Sequence, residues 1–314
     1  IGVGISGAIT FALSAVFEFT STTPILGVML GLAVGIDYAL FILNRHRRQV
    51  KAGMPVADSI ALSNGTSGNS VVFAGLTVVI ALAALNLTGI GFLGVMGTMG
   101  AMAIVFAILI ASAVAGWMFA SPLVMWGGMI GGLVLGLVNT FKKVPSPALI
   151  VGYSVLQGLF VGAISNMYNT MWDGIVTQAV VGTLGVIGVT LFLFLSGKFR
   201  SSARMTKIVT VAMIGYLVYQ LVNIVLMMTG VTGNAAFGLS SMNIMGIPLG
   251  IAIGLIVVFL AAYSLVLDFE SIKLGADRGA PAVYAWQGAF GVVVTVVWLY
   301  LEILRMLAIA RGNN

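Results

Sequence analysis

Long apolar runs, separated by short polar stretches, follow one another along the whole chain. The runs are continuous rather than alternating, and many reach the 18 or more residues that carry a helix across ~30 Å of hydrocarbon. Lipid offers the backbone no hydrogen bonds, so such segments must be helices or a closed barrel, and unbroken runs select helices. The pattern predicts an all-α, polytopic transmembrane bundle of about ten spans, near residues 2–20, 24–44, 69–89, 91–117, 122–141, 147–166, 174–196, 207–229, 247–269 and 284–309.

The polar interruptions are short. Between the second and third spans lies "RHRRQVKAGMPVADSIALSNGTSG". It opens basic and then reads as a short amphipathic helix, with Pro55 near its start and Ala57, Ile60 and Ala61 on one side. Later basic loops are Lys142/Lys143, Lys198 to Lys207, and Lys273 to Arg278. Three predicted spans separate the Arg45, Arg47, Arg48, Lys51 cluster from Lys142/Lys143. Three crossings place them on opposite sides, whereas the positive-inside rule wants both in the cytoplasm. The later basic loops agree with one another, so the conflict is confined to residues 52–141.

Composition sharpens the class. The chain of 314 residues is 60% hydrophobic and 7% charged, with a mean hydropathy of +1.16. Its 41 glycines suit close helix packing in a membrane rather than disorder. The net charge of +6 comes mostly from short loops, and it informs orientation rather than nucleic-acid binding. The absence of cysteine excludes disulfides, zinc–thiolate sites and iron–sulfur clusters. His46 is the one histidine, so no histidine cluster can hold a metal. No Ser/His/Asp set and no phosphate-binding loop is apparent, so neither enzymatic activity, a cofactor nor a metal site is expected. The chain opens at Ile1 inside an apolar run, without the basic start and cleavage site of a signal peptide, and reads as a cut end. A multi-pass protein of the bacterial inner membrane is expected, with the bilayer and other membrane proteins as its partners.

Within the second span Asp37 and Tyr38 stand in "GLAVGIDYALFILNRHRRQ". A carboxylate at that depth costs ~2.5–3.5 kcal/mol on insertion scales, and such residues normally face a bundle interior and serve ion or proton movement. Two structural readings stay open: a hydrogen bond to a neighbouring helix, with Asn69 or Ser70 as candidates, or snorkelling toward Arg45. Together with "SIALSNGTSGNSVVFAGLTVVIALAALNLTGIGFLGVMGTMGAMAIVFAILIA", this stretch resembles the MmpL branch of the resistance–nodulation–division exporters over residues 1–113. The resemblance implies proton-driven export of lipids or other hydrophobic molecules, with Asp37 and Tyr38 as one proton-relay pair. It covers about four spans. No second Asp-Tyr step occurs in the chain, and no large soluble domain interrupts it.

From residue 114 the character changes. Gly128, Gly132 and Gly136 in "GGMIGGLVLG" form a stripe suited to tight helix packing, and Asn139, Gln157, Gln178, Gln220 and Asn223 recur inside apolar spans as candidates for interhelical hydrogen bonds. Asp268 and Glu270 stand near a helix end, and Glu302 lies inside the last apolar run with Arg305 three residues on. Glu302 suits either an ion pair with Arg305 or an intramembrane functional carboxylate. Asp268 suits either an interfacial position in contact with water or a functional one. The pieces "GLVLGLVNTFKKVPSPALIVGYSVLQGLFVGAISNMY", "MIGYLVYQLVNIVLM", "SLVLDFESI" and "WLYLEILRML" are similar to the Bax-inhibitor family, in its bacterial YccA-like branch, over residues 114–314. The resemblance implies a seven-span unit, its first span shared with 91–117. It also implies a pH-sensitive calcium leak gated by two carboxylates that share a proton, matched here by Asp268 and Glu302. Those residues lie 34 positions apart. A last helix continuous from Tyr284 puts Glu302 ~27 Å along it, which separates the two carboxylates toward opposite faces. Residues 114–141 contain no arginine to latch a closed pore.

Residues 91–117 serve both resemblances, inward-running in one and outward-running in the other, which is the charge conflict again. The expected architecture is therefore two joined units, 1–113 and 114–314. The simplest origin is a chimera, engineered, generated or joined from two proteins, in preference to a natural fusion. Ion conduction by the second unit is the leading expectation, with calcium or protons as the transported ions. Proton-coupled export of lipophiles and a non-conducting scaffold are the alternatives.

Overall fold

The computed structural model describes residues 40, 43–56, 58–60, 62–63, 91–197, 200–231, 237–244, 246–278, 280–281 and 283–312. The chain divides into two compact units, Ile1–Ile104 and Val105–Asn314. In the first, residues 43–51 are helical and a second short helical stretch occupies the described positions of 56–63. The predicted spans near 2–20 and 69–89, and all but the end of 24–44, lie outside the described residues, as do Asp37, Tyr38, Asn69 and Ser70.

Seven long helices follow: α1 Gly91–Met118, α2 Pro122–Phe141, α3 Pro147–Met171, α4 Ile175–Leu195, α5 Ala203–Met228, α6 Leu249–Asp277 and α7 Val283–Gly312. Six of them, α2 to α7, are long and apolar enough to cross a membrane, and they coincide with the last six predicted spans. The described structure is helical apart from a ribbon of two strands, β1 Asn243–Ile244 and β2 Ile247–Pro248. The strands pair antiparallel, with Asn243 opposite Pro248 and Ile244 opposite Ile247. Gly246 makes that turn at φ +84°, a conformation side chains resist.

Local chemistry sets the helix ends. Ser121 caps α2 by accepting from the Val124 amide at 3.3 Å, with Pro122 in the first turn, where a missing N–H costs nothing. Ser202 caps α5 in the same way through the Met205 amide at 3.2 Å. Pro147 opens α3.

The glycine stripe is a packing surface. A Cβ on Gly128 would strike the Leu156 carbonyl of α3, and one on Gly132 would meet the Gln157 side chain. Gly136 lies under Tyr153. The α1–α3 crossing is tighter still: a Cβ on Gly162 would collide with the Ala113 backbone, and one on Gly158 with the Leu109 carbonyl. Small residues let the backbones meet where lipid provides no hydrophobic drive. The centre of the unit is α7, which packs against α3, α4 and α6. In its most apolar stretch 61% of positions are buried, against 11% for α5. The side chains of α5 therefore lie mostly at the periphery.

The intraspan polar residues divide. Asn139 accepts from the Ser146 amide at 3.1 Å and ties the α2–α3 turn rather than two helices. Asn223 binds the Phe237 carbonyl and the Leu239 amide, so it anchors the loop after α5. Gln178 is exposed. Gln157 and Gln220 do face other helices, as their positions inside the spans suggest.

Candidate functional site

Glu302 is the buried carboxylate of the described bundle, 4% exposed on α7. An isolated charge there would be prohibitively desolvated, so its partners decide whether the helix can carry it. Arg305 supplies one: its Nη2 donates to Oε1 at 2.5 Å, one turn along the same helix. Tyr216 of α5 supplies the other, its hydroxyl donating to Oε2 at 2.6 Å. Both carboxylate oxygens are thus satisfied.

The network then spreads. Gln220 Nε2 donates to the Tyr216 hydroxyl at 2.9 Å, and Arg305 Nη1 donates to Gln220 Oε1 at 3.3 Å. Arg305 Nη1 also lies 3.5 Å from Ser240 Oγ in the 3₁₀ turn Gly238–Ser241, and Ser240 is bonded to Tyr219 at 2.8 Å. The guanidinium stands 5.9 Å from the centre of the Tyr216 ring. Its buried Nε has no hydrogen-bond partner among the described residues. Beside it opens a cleft of about 160 Å³ lined by Gln220, Asn223, Ile224, Met227, Phe237 and Arg305.

Asp268 occupies a separate niche. Thr295 Oγ1 of α7 donates to its Oδ2 at 2.7 Å. Gly291, one turn earlier on α7, makes room for the carboxyl, because a Cβ there would press on Oδ1. Glu270, two residues on, accepts from the Ser201 amide at 2.8 Å and fastens the α4–α5 loop to the C-terminal third of α6.

The expected proton-sharing contact between Asp268 and Glu302 is absent: they share no hydrogen bond. The reason is helical register. Asp268 lies against Thr295, and Glu302 is seven residues further along α7, ~10 Å at 1.5 Å per residue. The separation is also smaller than the opposite-face placement expected from spacing alone, because Asp268 itself sits well inside α6. The ion pair of Glu302 with Arg305 is present, and no arginine from 114–141 is needed to neutralise it. Tyr216 and Thr295 were not singled out from sequence. Tyr216 carried a weak signal, a phenol four residues before Gln220 in an otherwise apolar span, whereas Thr295 carried none.

These features define a polytopic helical membrane protein with a charged network at the core of its described bundle. A family model described as Bax inhibitor 1 like matches residues 44–312. The chain belongs to the Bax inhibitor 1-like family. The match begins upstream of the point where the motifs suggested, so residues 44–113 fall within it as well as within the exporter-like motifs.

Other similarities are shorter. The chain is 43% identical over 109 residues to membrane protein YdfJ of Bacillus subtilis, covering 35% of this chain and 15% of that protein. It is 37% identical over 81 residues to the mycolic acid-containing lipids exporter MmpL11 of Mycolicibacterium smegmatis, covering 26% of this chain and 8% of the exporter. It is 29% identical over 148 residues to the trehalose monomycolate exporter MmpL3 of the same organism, covering 46% of this chain and 14% of the exporter. The chain thus spans less than one sixth of these curated relatives. No solved structure matches the chain.

Proposed function

We propose that the protein conducts ions through its Bax inhibitor-like part in the bacterial inner membrane, with calcium as the preferred ion and pH as the control. The observation that supports this best is the buried Glu302 network. A carboxylate held by one arginine and one phenol joins α5 to α7 through contacts that depend on its charge. Protonating Glu302 removes the charge that Arg305 pairs and weakens the acceptor for Tyr216. The facing groups from α5 are Tyr216, Tyr219 and Gln220, and the charged one on α7 is Arg305. Asp268 acts as a second carboxylate station, about two turns away, rather than as the other half of a dyad. Its oxygens suit a hard cation. No catalytic step is part of this reading.

The test is calcium flux into proteoliposomes across a pH series. Glu302→Gln should abolish the pH dependence while the helical content is retained, and Asp268→Asn should lower flux at every pH. Absence of calcium flux at all pH values, or unaltered pH dependence in Glu302→Gln, would sink the reading.

We further read the chain as two joined units, 1–113 and 114–314, with about ten spans in all. The similarity to YdfJ and to the two mycobacterial exporters favours a second reading, proton-coupled movement of a lipophile with Asp37 and Tyr38 in the relay. Proton uptake that depends on Asp37 and persists in Glu302→Gln would favour it. Flux of neither ion would leave the scaffold alternative.

A further inference from the structure

The segment after residue 43 carries an arrangement that ion conduction does not use. Ser59 is fully buried and Ser63 is 1% exposed, while Val56, Ile60 and Leu62 are 57%, 48% and 43% exposed. The short helix thus turns its hydroxyls inward and its apolar side chains outward. Hydrogen bonds fix that orientation. Ser59 Oγ lies 2.8 Å from His46 Nδ1 and 3.0 Å from Gln49 Oε1, and Ser63 Oγ donates to Gln49 Oε1 at 2.8 Å. A solvated loop would pack the other way, with apolar groups covered and hydroxyls in water. Val56 and Ile60 lie one turn apart and form a single stripe.

Charge identifies what covers the stripe. Arg45, Arg47, Arg48 and Lys51 on the preceding helical residues are all exposed, and Asp58 is the one acidic residue in 43–63. Exposed apolar side chains beside four exposed cations match a bilayer surface with acidic headgroups, where each basic side chain contributes about a fivefold gain in partitioning. We propose that the described residues of 45–62 form an interfacial device that docks onto anionic phospholipid. The arginines and Lys51 engage the headgroups, and the Val56–Ile60 stripe enters the acyl boundary. The His46–Ser59 and Gln49–Ser63 bonds hold the two parts in register. A protein partner is disfavoured, because the four cations would then need an equally dense acidic surface.

The chain has no cysteine, so one probe position can be read cleanly in the full protein. Ile60→Cys carries an environment-sensitive fluorophore, and the labelled protein is reconstituted in phosphatidylcholine vesicles with or without phosphatidylglycerol. Phosphatidylglycerol should shift the emission to the blue and expose the probe to nitroxide-labelled lipid. Raised salt should reverse the shift without any substitution, and so should changing all four cations to glutamine. Soluble glycerol phosphate should not reproduce it. A probe at Asp58→Cys, on another arc of the same turn, should stay aqueous. A probe that is water-exposed in both vesicle types overturns the proposal. So does one shielded equally in both, since protein would then be the cover, and so does a shift indifferent to salt.

Discussion

Tyr216 reaches from α5 to α7 and donates a 2.6 Å hydrogen bond to the buried Glu302. The bond joins the least buried of the membrane-crossing helices to the most buried one. Gln220 adds a second polar link to α7 through Arg305. On α6 the helix is held by the packing of Val209 with Leu260 and Tyr263 and by the 3.1 Å contact between the Thr206 and Tyr263 hydroxyls. Tyr219 and Asn223 tie it to the loop that follows.

Tyr216→Phe removes the hydroxyl and keeps the ring over Arg305. Hydrogen bonds to charged groups are worth about 1.5–3 kcal/mol in water-soluble proteins, whereas interhelical ones in membranes average nearer 0.6. A loss of about 1–2 kcal/mol is expected in denaturant titration of the detergent-solubilised protein. Fluorescence from the neighbouring Trp298, whose ring centre is 6.2 Å from that of Tyr216, should report the same substitution. Unchanged stability would mean that Glu302 recruits another donor, with Gln220 the nearest candidate.

The Glu302–Arg305 pair should behave as a unit. Removing one partner of a buried pair strands the other charge and typically costs 3–5 kcal/mol, whereas replacing both with apolar residues is often neutral. Glu302→Leu and Arg305→Leu should each destabilise by about that amount, and the double variant by clearly less than either. A double-mutant cycle read from unfolding midpoints checks this. Additive losses would show that the two side chains act independently.

What could be read from the sequence follows the distance over which each interaction acts. Helical spans, the Gly128–Gly136 stripe and the Glu302–Arg305 pair are local patterns, set by periods of three and four residues along one helix. The contacts that fix the site are not local. Tyr216 and Glu302 are 86 residues apart in the chain, and Thr295 and Asp268 are 27 apart. Their meeting depends on how α5, α6 and α7 slide along one another. The family resemblance suggested a carboxylate dyad, and the register of α6 on α7 separates the two groups by two turns. Asn139 illustrates the opposite error. A polar residue inside an apolar run suggested an interhelical bond, but it stands at the last turn of α2 and accepts instead from the Ser146 amide in the following turn. Asp37 and Tyr38, on which the exporter-like reading rests, fall outside the described residues.

The α1–α3 contact gives a sharp test of packing. At Gly162 a side chain would run into the Ala113 backbone, which cannot rotate aside. At Gly185 of α4 there is open space where the side chain would go. Gly162→Val should therefore destabilise by at least the ~1–3 kcal/mol typical of overpacking, and Gly185→Val by much less. Yield of monodisperse protein after heating a series of detergent samples separates the two. Equal tolerance at both positions would refute the close crossing of α1 and α3.

The last prediction concerns which loops share a membrane face. Glu270, in the C-terminal third of α6, binds the Ser201 amide, which puts the α4–α5 and α6–α7 turns toward one end of the unit. Tyr153, early in α3, meets Phe290, early in α7, with ring centres 5.0 Å apart, and this brings the α2–α3 turn to the same end. At the other end Arg311 donates to the Asp173 carbonyl at 2.8 Å, joining the α3–α4 turn to the end of α7. The first end exposes Lys142, Lys143, Arg200, Arg204 and Arg278, so the positive-inside rule assigns it to the cytoplasm. Single cysteines at Lys143, Arg200 and Arg278 should resist a membrane-impermeant maleimide added to intact cells. Cysteines at Asp173 and Val231, both exposed, should react. Permeabilisation should make all five reactive. Labelling of Lys143→Cys together with Asp173→Cys in intact cells would mean that α3 does not cross the bilayer.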